Sequence, residues 1–290
     1  MFIMKNYRLF ILSIAVLGLT ACDKHDFLDD LLITGEVGPQ AYWELESSAM
    51  TAGKSMEFSA QYYTSVPDMS IDRSEVWYSI SENISKQVSC PWMTTFSYVF
   101  NSTTAEQKRV EQKISSYAHS EDLWNDSLHA YYLQSSFPVS GTLAPFAWKN
   151  PSEFNANDSD KIENYFGEGF MQQFKDELYP KMKYADFRSL MVGTGVVADF
   201  KAYTDSTFDK NTNSYVRHFP WNADSTDTPV PEKLQELYRD SISFGQLIYS
   251  KAESSYSVTY ERKYKLRAIM RVYDTRGVYG TTDPKDIDIN

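Results

Sequence analysis

The sequence predicts an α+β fold: a β-sandwich formed by an N-terminal and a C-terminal segment, with a long, partly helical insertion between them. Three observations lead there. From residue 40 to about 100 the apolar side chains recur at every second position, and residues 253–290 repeat that pattern. The stretch between them, 101–252, shifts in places to helical spacing, separated by loops rich in Asn, Asp, Ser, Thr and Pro.

The chain begins with a basic start (Lys5, Arg8) followed by the apolar run Leu9 to Leu19, which suits a signal-peptide core and is short for a membrane span. It closes on Leu19-Thr20-Ala21-Cys22, which resembles the lipobox of bacterial lipoproteins. The resemblance implies cleavage after Ala21, a signal peptide over 1–21 and acylation of Cys22, which anchors the chain in a membrane outside the cytoplasm. An uncleaved anchor helix with an incidental cysteine is the alternative. Residues 22–39 read as a lipidated tether, acidic from Asp23 to Asp30 and ending in Gly35, Gly38 and Pro39. Acidic residues behind the cysteine and the Phe27-Leu28-Asp29 triplet resemble surface lipoproteins of starch-utilisation-type glycan-uptake loci, which implies display on the outer membrane. Asp23 alone would favour inner-membrane retention under enterobacterial sorting, and the acidic run that continues to Asp30 tips the reading outward.

Tyr42-Trp43-Glu44-Leu45 reads as a first strand, and Ala52-Gly53-Lys54 as a turn. Over Ser55 to Tyr62, Met56, Phe58, Ala60 and Tyr62 alternate with Ser55, Glu57, Ser59 and Gln61, which makes a half-buried strand. Glu75 to Ile80 reads as a third strand. In the insertion, the capping-box pattern Thr103 to Glu106 followed by Val110, Ile114 and Tyr117 predicts a helix. A second helix is expected after Ser159-Asp160, burying Ile162, Phe166, Phe170 and Phe174 before Pro180. A third begins at Pro231, with Leu234, Leu237 and Ile242 inward and Gly245 as its stop.

At the far end, Tyr264, Leu266, Ala268, Met270 and Val272 form an alternating strand, Asp274 to Gly277 a turn, and Val278-Tyr279-Gly280 the returning arm of a hairpin. Ile287-Asp288-Ile289 closes the chain. This order resembles an immunoglobulin-like or fibronectin-type-III-like sandwich, with Trp77 as the core tryptophan that the resemblance implies. Neither terminal segment can bury its apolar face alone, which argues for one interrupted sandwich; a sandwich plus a separate domain is the other arrangement open.

The chemistry is defined largely by what the sequence lacks. Only Cys22 and Cys90 are present, so the fold does not depend on an intramolecular disulfide once Cys22 is lipidated. Cys90, in Val88-Ser89-Cys90-Pro91-Trp92, reads as a buried small hydrophobe rather than a nucleophile. Removing residues 1–21 leaves 26 basic and 39 acidic residues, a formal charge of −13, which argues against nucleic acid as a partner. The histidines at 25, 119, 129 and 218 form no zinc pair, and Asp209-x-Asn211-x-Asn213 has Ser214 and Pro220 where a calcium loop needs Gly and Glu, so no metal and no other cofactor is expected. Gly193-Thr194-Gly195 reads as a turn. No nucleophile elbow or phosphate-binding loop occurs, and no catalytic residue is assigned.

Two functions are compatible with this sequence. One is a non-enzymatic surface lipoprotein that binds glycan or assists nutrient uptake, with Trp124, Trp148 and Trp221 of the insertion as a stacking platform. The other is a structural or assembly subunit of an envelope complex or adhesin, with an envelope protein as the partner of the insertion.

Overall fold

The computed structural model describes residues 37–198, 205–218 and 232–290. The fold is mixed α+β with several sheets. Strands β1 (Gln40–Leu45), β2 (Ala49–Met50), β3 (Ser55–Tyr63), β4 (Ile71–Ser89) and β5 (Val99–Ala118) come first, then β6 (Trp124–Asn125), β7 (Ala130–Pro138) and β8 (Phe146–Lys149). Helices α1 (Ala156–Phe166), α2 (Phe170–Leu178) and α3 (Tyr184–Gly193) follow, then the hairpin β9 (Asp205–Asp209) and β10 (Ser214–His218), α4 (Glu232–Ser241) and α5 (Phe244–Ile248). Five strands end the chain: β11 (Tyr249–Ser250), β12 (Ser255–Tyr256), β13 (Val258–Asp274), β14 (Tyr279–Thr281) and β15 (Lys285–Ile289).

Four strands form one sheet in the order β1-β3-β7-β6, and a larger sheet runs β2-β15-β13-β4-β5, with β8 and β14 also pairing to β13. The alternation expected over residues 55–62 is the burial pattern of β3: Met56, Phe58, Ala60 and Tyr62 are inside. They meet Trp43 and Phe137 of their own sheet and, from the other sheet, Val76, Tyr78, Ile80, Leu266, Ala268, Met270, Val272, Ile287 and Ile289 in one core. The terminal segments therefore share an interior, and each fully buried large apolar side chain there contributes about 1.5–3 kcal/mol. The expected hairpin joins β13 to β14, with Gly277 at a positive φ of 86° that suits glycine.

The tryptophan of this core is Trp43, 1% exposed, and not Trp77. Along β4 the inward side chains are Val76, Tyr78 and Ile80, so period two turns Trp77 to the opposite face. There its indole N–H donates to Glu75 (3.0 Å), and the Arg271 guanidinium lies 4.2 Å from its ring centre.

The helix expected from Thr103 does not form; those residues belong to β5, paired along its length with β4. Strand structure thus continues beyond residue 100 as far as Lys149 and joins both sheets. β5 is an edge strand exposed from residue 103 through 110, so no buried face imposes an alternating pattern on its sequence, and sheet pairing outweighs a local capping signal.

A second core lies at the other end of the long strands, where Val88, Cys90 and Val258 meet Ile162, Phe174, Leu178, Phe187, Leu190 and Leu247 of the helices. The single helix expected between 160 and 180 is two, α1 and α2, because Gly167 (φ 117°) and Gly169 (φ 76°) break it. The Glu163 carboxylate then accepts the backbone N–H groups of Gly169 and Met171 at the new N-terminus. Gly245 does not stop a helix: it lies inside α5, and α4 ends before it at Ser241. Pro231 lies outside the described residues.

Candidate functional site

A cleft of about 850 Å³ opens on the helical layer, within the size range of small-molecule sites. Four stretches distant in sequence build it: the loop after β4, the start of α1 with α2, the end of α3, and residues 243–256. Its aromatic lining is Trp92, Phe154, Phe244, Tyr249 and Tyr256.

Glycines and backbone contacts fix those rings. A Cβ on Gly193 would lie 2.2 Å from the Trp92 ring, so the end of α3 must be glycine for Trp92 to lie on it. The Trp92 indole N–H donates to the Gln246 carbonyl (2.7 Å). Phe154 lies on Gly245, where an added Cβ would come within 3.0 Å of its ring, and it packs against Tyr256 with ring centres 5.2 Å apart. The loop carrying Trp92 is tied to α3 by Asp186, which accepts from the N–H and hydroxyl groups of both Thr94 and Thr95 and from the Lys183 N–H. Burial pushes that carboxyl up, but these donors, led by the Thr95 hydroxyl, hold it below the usual range.

Asn155 caps α1 through its side-chain oxygen, which accepts from Asn157 (2.8 Å) and Asp158 (3.3 Å). The Gln246 side-chain oxygen accepts from the Ser243 N–H and hydroxyl in the capping box of α5. Glu163 is engaged at α2. Lys175 donates to the carbonyls of Ile242 (2.6 Å) and Arg239 (3.2 Å), and burial lowers its pKa. Lys251, exposed, holds its ammonium 5.4 Å from the Trp92 ring centre.

The residues singled out from sequence sit elsewhere. Cys22, Ala21 and Trp221 lie outside the described residues. Trp124 is in β6, 45% exposed, edge-on to Tyr131 with its N–H donated to Asp126 (2.9 Å). Trp148 is in β8, partly buried against the second core and near Tyr165 and Lys161. The two belong to different sheets and are not brought together. Asp209 closes the β9–β10 turn by accepting from the Asn211 N–H and the Thr212 hydroxyl, and among the described residues no group of three His, Cys, Asp or Glu is placed to hold a metal. Cys90 is buried, and desolvation pushes its thiol up to about 12, which keeps it protonated at neutral pH. Gly193-Thr194-Gly195 is the end of α3 and its turn. Trp92, Phe154, Tyr249 and Tyr256 were missed by sequence reading, and the one local signal was an aromatic residue next to glycine in Phe244-Gly245.

The chain matches no model of a known protein family, no curated protein and no solved structure.

Proposed function

We propose that this protein is a lipid-anchored, surface-displayed outer-membrane lipoprotein whose body, an immunoglobulin-like sandwich carrying a helical layer, binds glycan in the aromatic cleft as a non-enzymatic accessory to nutrient uptake. The address rests on the basic start, apolar run and lipobox at residues 1–22. The sandwich reading is supported by two sheets that share one core and by the long β13 hairpinned to β14. The observation that carries the binding reading is the pairing of aromatic faces with amide donors in one cleft. Pyranose rings present C–H groups to aromatic faces and hydroxyls to polar edges, and the Nδ2 of Asn155 and Nε2 of Gln246 donate to nothing among the described residues.

The test is a glycan array probed with the soluble body, residues 23–290. Binding is expected, with at least tenfold loss in Phe154→Ala and little change in Trp124→Ala. A body that retains its fold and binds no glycan refutes the reading.

The alternative, an assembly subunit or adhesin, draws support from β5, a twenty-residue edge strand with residues 103–110 open to solvent. Such an edge can accept a partner's strand. Crosslinking in intact cells that traps one stoichiometric protein partner through β5 would favour it.

A further inference from the structure

We infer that the protein carries a second glycan site away from the cleft: the outer face of the four-stranded sheet, which takes a neutral oligosaccharide laid across its strands. Burial of Met56, Phe58, Ala60 and Tyr62 turns Glu57, Ser59, Gln61 and Tyr63 outward, and the register fixes what stands beside each. Tyr42, Gln61 and Tyr132 form one row across β1, β3 and β7, and Glu44, Ser59 and Gln134 form the next. Gln40 pairs with Tyr63 on one side of these rows, and Glu57 with Ser136 on the other. At the usual strand spacing the Cα atoms of Tyr42 and Tyr132 stand about 10 Å apart, and neighbouring rows about 7 Å. All three tyrosines are tethered: Tyr42 donates its hydroxyl to Glu44 (2.5 Å), Tyr63 donates to Gln40 (2.7 Å), and Tyr132 accepts from Gln134 (3.1 Å). Rings held before a ligand arrives lose little freedom on stacking against a sugar.

Beside the tyrosine row lies a concavity of about 650 Å³, with Glu44, Glu46, Glu57, Ser59, Gln134 and Ser136 along it. Its hydrogen-bonding capacity is of both kinds. The carboxylates of Glu46 and Glu57 and the side-chain oxygen of Gln134 accept no hydrogen bond among the described residues, and the hydroxyls of Ser59 and Ser136 can donate as well as accept. A sugar hydroxyl, donor and acceptor at once, is matched by that mixture. An acidic sugar is not, because no Lys or Arg stands on these rows to offset the carboxylates. Residue type decides against a protein partner: all but Gln134 of the residues along the concavity are Glu or Ser, which protein interfaces avoid. One pyranose ring cannot cover Tyr42 and Tyr132 together, so the ligand is a chain of sugars.

The experiment is calorimetric titration of the soluble body with neutral six-unit oligosaccharides of four kinds: β-1,4-glucan, β-1,4-mannan, β-1,4-xylan and α-1,4-glucan. It uses Phe154→Ala, which weakens the cleft, as the background. At least one of the four is expected to bind that protein, and adding Tyr42→Ala and Glu57→Ala to lower the affinity at least tenfold. Tyr42 and Glu57 are both exposed, so the added changes keep the melting temperature. Hexalysine is titrated in parallel. No binding of any of the four in the Phe154→Ala background, or binding untouched by the changes at Tyr42 and Glu57, overturns the sheet site. Hexalysine bound in place of sugar, and lost with the same two changes, overturns it in favour of a docking face for basic protein. The cleft stands or falls on a different comparison, the unmodified body against Phe154→Ala alone.

Discussion

Asp186 shows how one side chain can decide the shape of a site it does not line. Fully buried at the start of α3, it gathers five donors and so fixes the loop 94–95 that follows Trp92. An amide in its place would turn an acceptor edge into a donor facing donors. Asp186→Asn should cost about 2–3 kcal/mol, the range for breaking a buried, charge-assisted set of hydrogen bonds, and release Trp92 from Gly193. Chemical denaturation reads the first effect, and tryptophan fluorescence the second. Because the folded carboxyl titrates below its ordinary value, its contribution is complete above the unfolded value of about 3.9 and is lost as pH falls through the lower folded one. The variant should therefore lose stability at neutral pH and show a flatter acid limb below about pH 4; an unchanged acid limb would remove Asp186 from this role. Such roles are poorly legible in sequence. Trp43 and Trp77 are equally conspicuous in the chain, yet only the face of the strand decides that one is core and the other stacks with Arg271. Trp92 carries no mark of a site in the sequence, because the glycine that receives it, Gly193, is about a hundred residues away.

Among the elements, legibility followed burial. β3 and β13 announce themselves because each has one face in the core and one outside, and period two is the direct imprint of that asymmetry. β5 has no such asymmetry over residues 103–110, so its sequence carried a capping-box pattern without consequence. α3 buries Phe187, Leu190 and Met191 at helical spacing but is short and lacks a Ser, Thr or Asn cap, and it was overlooked. An exposed edge of this length calls for protection against pairing, and β5 carries Glu106, Lys108 and Arg109, with register shifts opposite β4 between Val76 and Ser81. Lys108 also neutralises the buried Glu82 at 2.8 Å, so it is the wrong residue to remove. Replacing Gln107 and Arg109 by Val should instead leave the fold intact and raise self-association relative to the unmodified chain, measured by sedimentation velocity across a concentration series. Identical sedimentation of the two proteins would mean that the edge is guarded by shape rather than by polarity.

At the scale of the whole molecule, β4 and β13 are a common spine for two cores. β13 runs from Val258 in the helical core to Asp274 at the hairpin turn, a length of about 55 Å at strand rise. The N-terminal end of the described chain docks at the hairpin end: Arg276 donates to the Val37 carbonyl (3.1 Å), and Gly38 and Gly280 permit backbone contact between residues 38–40 and β14. The cleft belongs to the opposite end. The chain thus enters the body at the hairpin end, and the cleft lies at the far end of the spine from that entry. That geometry gives the address a sharp test. A cysteine introduced at Lys251 should be labelled in intact cells by a membrane-impermeant maleimide, against a silent background because Cys90 is buried. Shaving intact cells with protease should remove the body, and Cys22→Ser should release it from the membrane fraction. Labelling only after the outer membrane is opened would turn the protein inward, sink capture at the surface and make envelope assembly through β5 the better account.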